Sequence, residues 1–254
     1  MSLKIKHFVI FITFLCIVSC KQTPLHLTQI EAKQIAIDST ISQIDSITKF
    51  IDPYRKRINE VLDSTLAYAP KLITKKDGTY NTSAGNLMAD IVLSESETIF
   101  NARTGKTIDF VLLNHGGIRS IISEGKVSAR TAYEVMPFEN SIVVVELSGT
   151  SVLEMIDFLI QSKRAHPIAG MQIILTKNNQ LKSLQIQGKP FDKNRTYFVA
   201  TSNYLVTGGD NMGFFKNMLS ATDTNYLIRN AMIDYFKKVD TLHSFVDNRF
   251  YKLN

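Results

Sequence analysis

The sequence predicts an α+β fold, a single domain with a mixed β-sheet flanked by helices, preceded by a helical lead-in and a signal segment. Three observations carry this. Apolar runs of strand length at 108–113, 141–147 and 196–201 are interspersed with segments of helical periodicity. Lys177-Asn-Asn-Gln180 joins the apolar runs 171–176 and 181–186 as a hairpin, so some neighbouring strands run antiparallel. No internal repeat or low-complexity tract points to a solenoid. At 254 residues and 44% hydrophobic content the chain can bury a sizeable core.

The first residues read as an export signal. Lys4 and Lys6 precede an apolar run, 8–19, that is short for a membrane span. Ile17-Val18-Ser19-Cys20 is similar to a lipobox, which makes 1–19 a lipoprotein signal peptide and Cys20 the lipid-bearing residue. A non-cleaved anchor helix is the alternative. Both cysteines, Cys16 and Cys20, lie in this segment, so the remainder has neither a disulfide nor a thiol nucleophile. Residues 20–50 form a tether and a lead-in strand and helix. Lys21 to Thr28 is polar, 32–37 alternates as a strand, and Thr40-Ile-Ser-Gln43 matches a capping box before Ile41, Ile44 and Ile47.

The main domain, 51–254, begins where Asp52-Pro53 restarts the chain, with Asp as cap and Pro at the first helical position. Tyr54, Ile58, Val61, Leu62 and Thr65 repeat at helical spacing up to Ala67, and Pro70 stops the run. Ser83 caps a further helix whose apolar face is Ala84, Leu87, Met88, Ile91 and Val92, ending at Arg103-Thr-Gly105. Gly85 and Asn86 in its first turn imply close backbone packing or free amides that face something. A turn and short helix follow at 125–131, then a strand from Ser141. The next helix, 149–161, turns Val152, Leu153, Ile156 and Ile160 inward. The strand at 196–201 is the last long one, and Thr222 or Asp223 caps a C-terminal helix with Ile228, Met232, Tyr235, Phe236 and Val239 buried.

The candidate chemistry gathers around Asp109-Phe-Val-Leu-Leu-Asn-His-Gly-Gly-Ile-Arg-Ser120. An apolar strand stops at Asn114, and Gly116 and Gly117 follow, where bare backbone lets a ligand approach. Asn114 can donate and accept, and Arg119 offers a planar cationic fork for phosphate or carboxylate. A plain Gly-Gly turn with an exposed Arg fits the spacing equally well. A second such loop, Gly208-Gly209-Asp210, follows the strand at 196–201. Phe138, after a proline, is either a rigid aromatic platform or a core residue. The net charge of +6 is scattered without interleaved aromatics, so no nucleic-acid partner is expected. The five histidines are isolated, without the spacing of a metal cage. No nucleophile elbow, Walker loop or dinucleotide fingerprint is present.

Five ordered motifs carry a resemblance. Gly85-Asn86-Leu87 with Ala89-Asp90, Asn114 through Arg119, Pro137-Phe138 with Asn140, Leu147-Ser-Gly149, and Thr201-Ser-Asn-Tyr204 before Gly208-Gly209-Asp210 resemble the C-terminal, substrate-binding domain of 5′-nucleotidases, over roughly 50–254. The lead-in resembles free-standing lipoprotein versions of that domain. The resemblance implies that the chain binds a nucleotide or nucleoside while hydrolysis, with its divalent metal pair, belongs to a separate metallophosphatase chain; no cofactor is expected here. It implies contacts from Asn114, Gly116, Gly117, Arg119, Gly208, Gly209 and Asp210, and a clamp formed by Phe138 and a second aromatic, at whose position this chain has Met212, with Phe214 and Phe215 nearby. The family's Arg several residues before Gly85 has no counterpart in Gly78-Thr79-Tyr80-Asn81. The expected function is the substrate-recognition half of a split 5′-nucleotidase in the bacterial envelope, lipid-anchored to a membrane. The rivals are a stand-alone nucleotide-binding surface lipoprotein and a structural envelope protein that has lost its ligand.

Overall fold

A computed structural model describes residues 7–9, 26–162 and 164–253. Most of the signal segment, including Cys20, lies outside the described residues. The chain divides into two compact units, Met1–Phe50 and Ile51–Asn254. In the first, residues 26–37 are exposed and without regular structure, so the strand expected at 32–37 is not formed. An alternating pattern needs a neighbouring strand to pair with. Nor does Thr40 cap a helix: its N–H and hydroxyl both donate to Asp38 Oδ1, closing a local turn.

Helix α1, Asp45–Leu62, runs through Pro53 instead of restarting there. Proline removes one helical donor, and along this exposed stretch water can satisfy the carbonyl left over. The helix stops at Leu62. The helical spacing that runs on to Ala67 is overridden: Thr65–Ala69 is strand β1, antiparallel to β3 (Gly125–Ser128). Arg130 of the short helix α3 (Ala129–Val135) ties these pieces to α1 through Asp63 and Asn59.

The centre of the domain is a five-stranded mixed sheet. Its members are β2 (Phe110–Leu112), β4 (Ser141–Ser148), β5 (Ile168–Ala169), β9 (Thr196–Ser202) and β10 (Ser220–Leu227), in the order β10-β4-β9-β2-β5. Only the β2–β9 pair is parallel. Successive side chains alternate between its faces. Ile142 and Val144 enter one core with Val111, beneath α2 (Ser83–Thr104) and α6 (Ile228–Lys238), the latter preceded in the chain by the short helix α5 (Asn203–Val206). Val143, Val145 and Leu147 enter a second with Phe110 and Leu112, beneath α4 (Gly149–Gln161). This second core also takes in the hairpin β6 (Met171–Leu175) and β7 (Leu181–Ile186), which with β8 (Lys189–Pro190) and β11 (Phe250–Lys252) forms a four-stranded sheet.

Helix α4 has the limits the sequence predicts, although Met155 and Leu159 are buried in place of Leu153 and Ile160. For α2 the N-cap is Thr82, whose hydroxyl accepts from the Gly85 N–H, while Ser83 begins the helix and bonds Thr74. The strand at 196–201 is not the last, since β10 and β11 follow. Thr222 and Asp223 lie within β10, paired to Val144 and Val143, and the final helix waits until Ile228. Pairing with a buried central strand outweighs the local capping preference of these residues.

The conspicuous Gly85-Asn86 pair serves this architecture. A β-carbon at Gly85 would lie 2.9 Å from Thr82 Oγ1 and 3.6 Å from Pro167. The Asn86 amide donates to Asn81 Oδ1 and to the Phe245 carbonyl, and Asn81 in turn holds the Asp247 and Phe250 carbonyls. Arg249 completes the latch with a two-pronged pair to Asp90 and bonds to Asp247 and the Ile168 carbonyl. These residues therefore fasten the C-terminal segment to α2 rather than face a ligand.

Candidate functional site

The sheet pairing decides where the site falls. Parallel β2 and β9 end on the same side, and antiparallel β4 begins there, with Ile142 opposite Ser202. Strand β5 starts there as well, because the Leu113 N–H donates to the Pro167 carbonyl beside the Leu112–Ile168 pair. Four connections meet at this edge, and between them lies a cavity of about 380 Å³, within the size range of small-molecule pockets.

Asn114, Gly116, Gly117 and Arg119 line it from the loop after β2, and Phe138 and Asn140 from the approach to β4. Tyr204 and Asp210 enter after β9, and Arg164 from the connection after α4. Six of the nine residues predicted for the site are therefore together. The other three stand apart from the lining. Met212 is fully buried in the core beneath α4, so its side chain cannot serve as a face of the clamp. Gly208 and Gly209 shape the loop from behind: Gly208 has φ +96°, and a β-carbon at Gly209 would strike the Tyr204 ring at 2.4 Å.

Tyr204 is the aromatic that sequence reasoning missed. It lies within the quoted Thr201-to-Tyr204 motif, but only the fold shows that its ring crosses Gly209 into the cavity. Phe138 and Tyr204 are 41% and 43% exposed, so the cavity has two solvent-facing aromatic rings. Arg164 and Asn140 are further lining residues without a place in the expected set, and for Arg164 no local signal in the sequence points to the site.

Polar contacts hold the lining in position. Asn114, buried at the end of β2, donates through Nδ2 to Asp210 Oδ2 at 2.8 Å, and the Tyr204 hydroxyl donates to Asp210 Oδ1 at 3.1 Å. Asp210 adopts φ 51°, a conformation tolerated best by Gly, Asn and Asp. Residues 115–117 form one turn of 3₁₀ helix. A β-carbon at Gly117 would sit 3.0 Å from Asn114 Oδ1 and 3.4 Å from Met136 Cε, so this position needs glycine for close approach. Lys75 Nζ donates to the Ile118 carbonyl and braces the loop. Burial, reinforced by the positive charges of Arg119, Lys76 and Arg164, holds the Lys75 ammonium below its usual range. The Arg119 guanidinium stands 5.8 Å from the Phe138 ring centre. Arg229 of α6 packs 4.3 Å from Tyr133 and donates to the Pro137 carbonyl, which fixes the segment carrying Phe138.

Two histidines join the loop after β2 to the connection after α4. The His115 N–H donates to His166 Nδ1 at 3.3 Å, and His115 Nδ1 donates to the Ala165 carbonyl at 3.1 Å. His166 Nε2 then carries the proton and donates to Ser162 Oγ. Burial, aided by the nearby His115, pushes His166 down to about 4 and so preserves its acceptor nitrogen at neutral pH. His115 is also lowered, chiefly by burial.

Among the described residues, no group of three or more His, Cys, Asp or Glu side chains converges as a metal site would require. Also among them, no helix is long and apolar enough to cross a membrane.

An open mixed sheet with a ligand-sized cavity at its strand ends is a common setting for a small-molecule site. Comparison with known proteins identifies which kind. The model of the 5′-nucleotidase C-terminal domain matches residues 65–219, and the chain belongs to that family. Protein UshA of Escherichia coli is 31% identical over 143 residues, covering 55% of this chain and 26% of UshA. The trifunctional nucleotide phosphoesterase protein YfkN of Bacillus subtilis is 25% identical over 225 residues, covering 81% of this chain and 15% of that protein. Among solved structures, a 5′-nucleotidase precursor from Thermus thermophilus superposes with a TM-score of 0.68 at 22% identity, covering 83% of this chain and 44% of the other. The NAD nucleotidase of Haemophilus influenzae gives 0.62 at 18% identity, covering 83% and 42%. This chain thus spans about a quarter of UshA and under half of these structural neighbours.

Proposed function

We propose that this chain is the substrate-recognition half of a 5′-nucleotidase-type hydrolase, presenting a nucleotide to a separate metallophosphatase chain. The observation that carries the reading is the shared cavity. Two exposed rings, Phe138 and Tyr204, suit the faces of a base. Asp210, oriented by Asn114 and Tyr204, keeps lone pairs for the hydroxyls of a sugar. Arg119 offers a fork matched to phosphate. Membership of the family and similarity to a protein named as a nucleotide phosphoesterase support the same reading.

The Ile17-Val18-Ser19-Cys20 pattern supports lipid attachment at Cys20 and an envelope location, where a Listeria relative is named a cell wall protein. The test is to mix the purified chain with a secreted two-metal phosphatase and a nucleotide. Hydrolysis above that of either component, with Arg119→Ala raising KM strongly, is the expected result. Nucleotide binding without any stimulated hydrolysis would favour a stand-alone binding lipoprotein, and no binding at all would leave neither.

A further inference from the structure

Arg164 sits in the connection after α4, two residues before the buried His166. Its backbone is held on both sides. The Arg164 N–H donates to Ser162 Oγ, the neighbouring Ala165 carbonyl accepts from His115, and Pro167 accepts from Leu113. The same contacts fasten this connection to the loop that carries Arg119. Both arginines line one cavity. Among the described residues neither has a carboxylate partner, since the ion pairs of the domain involve other arginines. The single carboxylate in the lining, Asp210, is engaged by Asn114 and Tyr204. Gathering two fixed cations with so little counter-charge is unfavourable in the free protein and is offset when an anion enters. The lowered pKa of Lys75, to which both arginines contribute, reports the same excess of positive potential.

We infer that Arg164 is a second phosphate-binding residue, joining Arg119 on the phosphoryl group of the ligand and selecting phosphorylated ligands over nucleosides. The inference rests on the proposed nucleotide reading and deepens it. It also bears on the family's arginine that is missing before Gly85: here a guanidinium enters from a different element. The side chain is exposed, so replacing it should leave the fold intact.

The test compares adenosine, adenosine 5′-monophosphate and inorganic pyrophosphate by calorimetry on the intact chain, on Arg164→Gln and on Arg164→Lys. Loss of one charge-assisted contact predicts about tenfold or more weaker binding of the two phosphate-bearing probes to Arg164→Gln. Adenosine affinity should stay within about twofold, and Arg164→Lys should recover part of the loss. A purely structural role would weaken all three probes together and would overturn the inference. So would unchanged phosphate binding in a chain that binds the monophosphate. If pyrophosphate binds through Arg164 while neither nucleoside nor nucleotide binds, the anion site stands and the nucleotide reading fails.

Discussion

Acidification should loosen the domain through His166, by an amount the structure sets. In the folded chain this imidazole is buried behind the cavity, its Nδ1 accepts the His115 N–H, and its Nε2 donates to Ser162. A proton on Nδ1 would replace the acceptor with a donor aimed at another donor. The groups that face it are His115, Asp210 and Arg164, and burial dominates, placing its pKa at about 4 against the ordinary 6.5. The unfolded chain therefore binds the proton first. Stability from this group is fully present above about pH 6.5 and is lost as the pH falls toward 4, the sign expected for a depressed histidine. Between pH 7 and pH 5 the loss comes to about 2 kcal/mol, at about 1.4 kcal/mol per pKa unit. His115 is lowered as well and adds in the same direction. Urea unfolding at pH 7, 6 and 5 measures it directly, and His166→Asn should flatten most of the slope. A stability that stays level from pH 7 to 5, or a slope that survives in His166→Asn, would refute the reasoning.

Three further outcomes follow from the same geometry. Phe138→Ala and Tyr204→Ala should each weaken nucleotide binding by about 1–3 kcal/mol, the usual range for a base–aromatic stack, with little change in unfolding midpoint because both rings are exposed. Gly117→Ala should reduce binding, because the new methyl group lies 3.0 Å from Asn114 Oδ1 and crowds the lining, and calorimetry should show the loss. Arg249→Ala should lower stability by about 1–3 kcal/mol in chemical unfolding, because Asp90, Asp247 and the Ile168 carbonyl lose a common partner, while nucleotide affinity holds.

The periodic segments were the most legible part of the sequence. Helix α4, the β6–β7 hairpin and the strand into Asn114 are encoded locally, by spacing and by turn residues that agree with the fold. Local pattern misleads at Thr65–Ala67 and Thr222–Asp223 because their state depends on pairing with distant strands, β3 and β4. The capping pattern at Thr40 lost to a shorter bond with Asp38. The site shows the same division. Asn114 through Arg119 and Phe138 are contiguous motifs and could be found one by one, whereas Met212 took a clamp position by sequence offset alone and is buried instead. Arg164 and Tyr204 reach the cavity because β2, β9 and the start of β4 coincide at one edge, and no local pattern records that coincidence.

A crystal structure of the chain grown with adenosine 5′-monophosphate tests the central claim most directly. The account predicts the base between the Phe138 and Tyr204 rings, sugar hydroxyls on Asp210, and the phosphate on Arg119. A nucleotide bound elsewhere on the domain, or an empty cavity at saturating nucleotide, would contradict it.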